Sequence, residues 1–199
     1  MQSLIQKPAP DFKANAVKSN GEFTEITLSN FKNKKYIVLF FYPLNFTFVC
    51  PSEILAFSHR INDFKKRNVE ILGISTDSHF SHLAWRNTNI NDGGIGNIEF
   101  TLISDITKEI SQSYGVLIQN SIALRGTFLI DKSGIIRHTT LNDLPLGRNV
   151  DETLRLVDAL QFNEKHGEVC PAGWKKGEIA IKPTAQGISD YLKKYGKKL

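Results

Sequence analysis

The apolar positions of the chain fall into segments of two distinct periods. Tyr36 to Tyr42 (YIVLFFY) is an unbroken β-branched and aromatic run, the pattern of a strand buried on both faces. From Ser52 to Arg67, Ile54, Phe57, Ile61 and Phe64 recur at spacings of three and four. That places them on one helical stripe and turns Arg60, Asp63 and Lys66 away from it. Val69 to Ser75 (VEILGIS) reads as a second buried strand. A strand, a helix and a strand in close succession form the βαβ pattern, which favours parallel pairing and a right-handed crossover.

Ahead of Tyr36 the chain leads in through a loop-like stretch containing Pro8 and Pro10. Beyond Ser75 the pattern predicts a helix from Ser78 to Asn87, a Gly-rich loop at 91–96, a short strand at Phe100–Ile103 and a short helix from Ile106 to Tyr114. Arg125–Asp131 and Ile135–Thr140 are extended runs separated by Lys132-Ser133-Gly134, the signature of an antiparallel hairpin. Asn149 to Asn163 is the clearest late helix, with Val150, Leu154 and Val157 on one side and Asn149 as the candidate cap. Gly167 to Gly187 reads as an extended arm before a last helix at Ile188–Tyr195. The expected fold class is α/β, a central mixed sheet flanked by helices.

Composition narrows the function. The chain of 199 residues is 41% hydrophobic and 23% charged, as expected of one globular domain with an ordered extension. Its net charge of +5 is scattered, with clusters only at Lys32–Lys35, Lys65–Arg67, Lys175–Lys176 and the tail, so no nucleic-acid partner is expected. The longest apolar run falls well short of the roughly 20 residues that span a membrane. The opening MQSLIQKPAPDF lacks the apolar stretch of about 7–15 residues found in a secretory signal, which makes the cytoplasm the expected compartment.

The two cysteines carry the chemistry. Cys50 and Cys170 lie too far apart for a C-x-x-C redox or zinc motif, yet each sits in the same tripeptide, Val-Cys-Pro. Pro51 suits the first position of a helix, which places Cys50 at a helix N-terminus, where unpaired amides and the helix dipole favour negative charge. Most free cysteines are small buried hydrophobes, and that reading stands beside a reactive thiol. His79 and His82 form an H-x-x-H pair, a weak metal signal; surface histidines are the expected alternative, and neither metal nor cofactor is predicted.

Pro43-Leu44-Asn45-Phe46-Thr47-Phe48-Val49-Cys50-Pro51 fits P-x-x-x-T-x-x-C and closely resembles the active-site loop of the peroxiredoxins. Arg125 in Ile122–Gly126, the stretch Asn142–Arg148 and the stretch His166–Trp174 also look like the typical two-cysteine class, so the likeness runs almost end to end. The resemblance implies a thioredoxin-like fold at 1–165 and a C-terminal arm at 166–199. It implies that Cys50 is the peroxidatic cysteine, that Thr47 and Arg125 bind peroxide, and that Pro43 shields the pocket. By the same likeness Cys170 is the resolving cysteine of a partner subunit, and Glu53 and Arg148 complete a polar network. A homodimer assembling to a decamer is implied, with thioredoxin or a flavoprotein disulfide reductase as electron donor.

Elementary chemistry agrees with that division of labour. Full ionisation of an ordinary thiol gains only about 30-fold near neutrality, so a fast peroxidase must act mainly on the peroxide. The hydroxyl of Thr47 and the guanidinium of Arg125 are suited to stabilising charge on the leaving oxygen. Taken alone, Thr47 is equally a turn hydroxyl, Arg125 a surface ion pair, and Glu53 an acid in a first helical turn. Disulfide formation needs Cα atoms within about 7 Å, so local unwinding around Cys50 is expected. Two departures from the family pattern stand out: Asn45 in place of an aspartate, and Tyr191-Leu192 in place of an aromatic pair that packs on a G-G-L-G loop, here Gly93-Gly94-Ile95-Gly96. The second predicts moderate to low sensitivity to overoxidation. A holdase chaperone or ring-forming role is the alternative function; a dithiol oxidoreductase is disfavoured because the cysteines share no short motif.

Overall fold

The computed structural model describes residues 3–198. The chain packs as two compact units, one ending at Val150 and the other beginning at Asp151. In the first, β1 (Lys13–Val17) and β2 (Phe23–Thr27) precede β3 (Tyr36–Phe41), α1 (Cys50–His59), α2 (Ile61–Lys66) and β4 (Val69–Ser75). There follow α3 (His79–Asn87), β5 (Thr101–Ser104), α4 (Glu109–Ser113) and a small hairpin of β6 (Leu117–Ile118) and β7 (Ile122–Ala123). β8 (Arg125–Ile130) and β9 (Ile136–Asn142) complete the unit. The helices α5 (Val150–His166) and α6 (Ala185–Tyr195) close the chain.

Seven strands form one mixed sheet in the order β2-β1-β5-β4-β3-β8-β9. β3 is central and runs parallel to β4 and antiparallel to β8, with Leu39 opposite Leu72 on one side and Phe128 on the other. All six of its residues are buried, as an uninterrupted apolar run requires. Leu39 and Phe41 point into a cluster with Leu72, Ile74, Ile103, Tyr114 and Phe128. Phe40 stacks on Phe57 of α1 with ring centroids 4.5 Å apart, and Phe57 continues to Phe64 of α2. The expected crossover between two parallel strands is therefore present, and it delivers the start of α1 to the end of the central strand.

Several expectations need correction. The loop-like lead-in gives way to an edge hairpin at β1 and β2, where only Ala16 and Val17 are buried. Asn and Ala are poor strand formers, so no run stood out there. The single helix expected from Ser52 to Arg67 starts at Cys50 and breaks at Arg60, whose φ of -100° and ψ of 6° leave the helical region. The short helix begins only at Glu109, after Lys108 adopts a φ of +67°, and the Asp105 carboxylate caps it by accepting from the backbone N–H groups of Ile110 and Ser111. The last helix begins at Ala185, because the Thr184 side chain accepts from the Gly187 N–H and fixes its first turn.

Gly73 marks a close approach within the sheet. A Cβ there would stand 2.9 Å from both Leu102 Cδ2 and Phe40 Cζ. Gly73→Ala is expected to lower stability by about 1–3 kcal/mol, the usual range for overpacking. Urea unfolding checks this, and an unchanged midpoint would show that the core yields there at no cost.

Candidate active site

The eight residues between β3 and α1 carry the candidate site, and a buried polar cluster fixes them. The Asn45 N–H donates to Asp77 Oδ2 at 2.9 Å, and its amide lies 2.9 Å from Ser81 Oγ and 3.0 Å from His82 Nδ1. The Tyr42 hydroxyl donates to Asn45 Oδ1 at 3.0 Å. His82 Nε2 lies 3.1 Å from the Ile103 carbonyl, which only accepts, so the ring proton sits on Nε2 and Nδ1 is free to accept from Asn45. Burial holds the imidazole neutral, with its pKa lowered from 6.5 to about 4. Asn45 thus acquires a role that the sequence did not reveal. Its amide donates to a bare imidazole nitrogen, which an ionised aspartate cannot do. Phe46 completes the turn with a φ of +55°.

Cys50 opens α1 and is fully buried, with Pro51 directly after it as expected. The Thr47 hydroxyl lies 2.8 Å from the Leu44 carbonyl and 3.0 Å from Cys50 Sγ. It has one proton to give. With a thiolate the proton turns to sulfur, and with a thiol it turns to the carbonyl. Arg125, the first residue of β8, is 3% exposed, and its Nη1 lies 3.4 Å from Cys50 Sγ and 2.6 Å from Glu53 Oε2. Its Nε donates to the Leu144 carbonyl at 2.7 Å, which locks the plane of the guanidinium.

Glu53 lies one turn along α1 and is also 3% exposed. Its Oε1 accepts from Arg148 Nε at 2.8 Å and from the Arg148 backbone N–H at 3.0 Å, while Oε2 accepts from Arg148 Nη2 at 2.9 Å. Arg148 Nη1 is shared between the carbonyls of Phe41 and Gly126, at 2.8 and 2.9 Å, and its guanidinium lies over the Phe40 ring. One carboxylate between two guanidinium groups leaves a net positive charge facing the sulfur. Pro43 is buried at the start of the same loop. Cys50, Thr47, Arg125, Glu53 and Arg148 are therefore brought together from α1, the preceding loop, β8 and the segment after β9.

Cys170 lies in the second unit, partly buried, with Sγ 3.6 Å from the Ala159 carbonyl of α5. Burial pushes its thiol up from the ordinary value, and the Arg155 cation acts in the opposite direction. Gly167 and Gly173 on either side have φ of +70° and +69°, so both serve as turns. The expectation of surface histidines fails at His82. His79 packs against Phe23 and Phe80, whereas His82 is fully buried with Nδ1 already engaged. Among the described residues, no group of three His, Cys, Asp or Glu side chains is placed to hold a metal ion. No helix among those residues is long and apolar enough to cross a membrane.

Residues 5–139 match the AhpC/TSA family, and residues 159–194 match the C-terminal domain of 1-Cys peroxiredoxin, although here that stretch holds a second thiol, Cys170. The chain belongs to the AhpC/TSA family. Peroxiredoxin-1 of Gallus gallus is 56% identical over 97% of each chain. Alkyl hydroperoxide reductase C of Buchnera aphidicola subsp. Baizongia pistaciae is 54% identical over 98% of this chain and 99% of that one. The crystal structure of reduced 2-Cys peroxiredoxin from Plasmodium vivax superposes with a TM-score of 0.96, covering 96% of this chain and 100% of that one at 52% identity. The mixed seven-stranded sheet with its flanking helices is thus the thioredoxin-like fold of a peroxiredoxin, and the protein is a thiol peroxidase.

The buried imidazole of this peroxiredoxin makes its stability pH-dependent. Because the pKa of His82 is lowered from 6.5 to about 4, the unfolded chain takes up a proton that the folded chain refuses as the pH falls through that interval. Stability conferred by the neutral ring is full above pH 6.5 and is lost toward pH 4. Urea midpoints at pH 7 and pH 5 are expected to differ less in His82→Gln than in the wild type. Equal declines in both proteins would remove His82 from the account.

Proposed function

We propose that Cys50 is the peroxidatic cysteine of a peroxidase for hydrogen peroxide and organic hydroperoxides. The observation that carries the reading is the convergence of Thr47 Oγ1 and Arg125 Nη1 on one sulfur, at 3.0 and 3.4 Å. The thiolate attacks the distal peroxide oxygen, the O–O bond breaks, and the leaving alkoxide or hydroxide takes a proton to become alcohol or water. Cys50 loses two electrons and becomes a sulfenic acid. Thr47 and Arg125 hold the two oxygens in line and stabilise charge on the one that leaves. Pro43 shields the pocket, while Glu53 and Arg148 hold Arg125 in place.

Cys170 of the partner subunit then attacks the Cys50 sulfur. A disulfide forms and hydroxide leaves, taking up a proton to become water. Two electrons from thioredoxin or a flavoprotein disulfide reductase restore both thiols. Residues 1–165 supply the peroxide chemistry and residues 166–199 the resolving arm, in a cytoplasmic homodimer that assembles to a decamer. The relatives, peroxiredoxins and alkyl hydroperoxide reductases, favour this reading over a holdase role.

Non-reducing electrophoresis after stoichiometric peroxide tests the scheme. Dimer bands are expected in the wild type and not in Cys50→Ser or Cys170→Ser; an oxidised wild type that stays monomeric on the gel contradicts it. The presence of only one aromatic at Tyr191-Leu192, where Leu192 is about half exposed, supports rapid release of the arm before a second oxidation. Mass spectrometry during turnover at low peroxide is therefore expected to find little Cys50 sulfinate, and its rapid accumulation would refute this part.

A further inference from the structure

Arg155 lies on α5 in the second unit, and its side chain is built into a fork. Its Nε and Nη2 donate to the two oxygens of Glu152 at 2.6 and 2.7 Å, and its Nη1 donates to the Trp174 carbonyl at 3.0 Å. Trp174 closes the short turn that begins at Pro171, directly after Cys170: its N–H donates to the Pro171 carbonyl, and its buried ring packs on Phe162. Arg155 also lies one helical turn before Ala159, whose carbonyl faces Cys170 Sγ. The Ala159 carbonyl of α5 thus meets the thiol directly, while the Arg155 cation, one turn earlier, is tied to the turn that follows Cys170.

The geometry points to Arg155 as a positioning residue for the resolving step, holding the 171–174 turn next to Cys170 and keeping positive charge in the neighbourhood of the sulfur that must attack as a thiolate. This rests on the reading of Cys170 as the resolving cysteine. The electron balance is that of the step already given: the Cys170 sulfur supplies an electron pair to the Cys50 sulfur, and the sulfenic oxygen departs as hydroxide and is protonated to water. Among the charged groups near the turn, Glu152 partly offsets the Arg155 cation, and Lys176 reaches toward Asp158 at 4.0 Å. A purely structural staple would also bind the Trp174 carbonyl, so the test must separate charge from tethering.

The full chain carrying Cys50→Ser leaves Cys170 as the sole thiol, and its alkylation by iodoacetamide at pH 7 reads the sulfur directly. Adding Arg155→Met is expected to slow alkylation about threefold, the order of one partly exposed charge pair. Arg155→Lys is expected to restore most of the rate. Glu152→Gln removes the offsetting carboxylate and is expected to accelerate alkylation. Opposite signs for Arg155→Met and Glu152→Gln support the inference, as does slower disulfide formation by Arg155→Met when Cys50 is intact. Changes of the same sign, as loosening of a mere tether produces, or rates within experimental error of each other, overturn it. A wild-type protein that forms no Cys50–Cys170 disulfide with peroxide defeats the resolving-cysteine reading instead, whatever the alkylation rates.

Discussion

The carboxylate of Glu53 binds Arg125 and Arg148 at once, and the proposed peroxide site depends on that shared grip. Arg125 opens β8, Arg148 follows β9, and Glu53 lies one turn into α1, so three distant parts of the chain meet at one buried anion. Burying charges costs several kcal/mol per ion unless each is paired and hydrogen-bonded, and here nearly every guanidinium nitrogen has a carboxylate or carbonyl partner. Two cations on one anion leave an excess of positive charge. The group that faces this excess is the sulfur of Cys50.

The sheet explains why the arrangement holds. A central strand buried on both faces cannot shift register without moving Leu39 and Phe40 to opposite faces. Its end therefore offers a fixed origin for the loop that carries Thr47 and for the first turn of α1. The Asn45, Tyr42 and His82 cluster ties the other side of the loop to α3 and β5, so the sulfur is approached by two rigid walls. In the proposed resolving step, unwinding of Cys50 toward a second thiol breaks the Thr47 and Arg125 contacts, while the Glu53 clamp persists one turn further along.

Local pattern made much of this legible. The run Tyr36–Tyr42 and the three-four spacing of Ile54, Phe57, Ile61 and Phe64 were sufficient to place the central strand and the crossover, because burial on two faces and on one stripe leaves an unmistakable periodicity. The three-residue spacing of Thr47 and Cys50 in P-x-x-x-T-x-x-C is also local, and it brings the hydroxyl within 3.0 Å of the sulfur. Arg125, Glu53 and Arg148 were legible only through resemblance, since their meeting is a product of tertiary folding across distant segments. The edge hairpin went unseen because its residues are neither strongly apolar nor strong strand formers. His82 had a usable signal: it shares a helix face with Trp85, three residues on, and that face is buried.

The rate of Cys50 oxidation by hydrogen peroxide, followed by stopped-flow, tests the central claim most directly when the wild type is compared with Arg125→Met. The account predicts a fall of about 10²–10³-fold in the second-order rate constant, the scale of losing one preorganised electrostatic donor. A rate within a few-fold of the wild type, in a variant that remains folded, would contradict it.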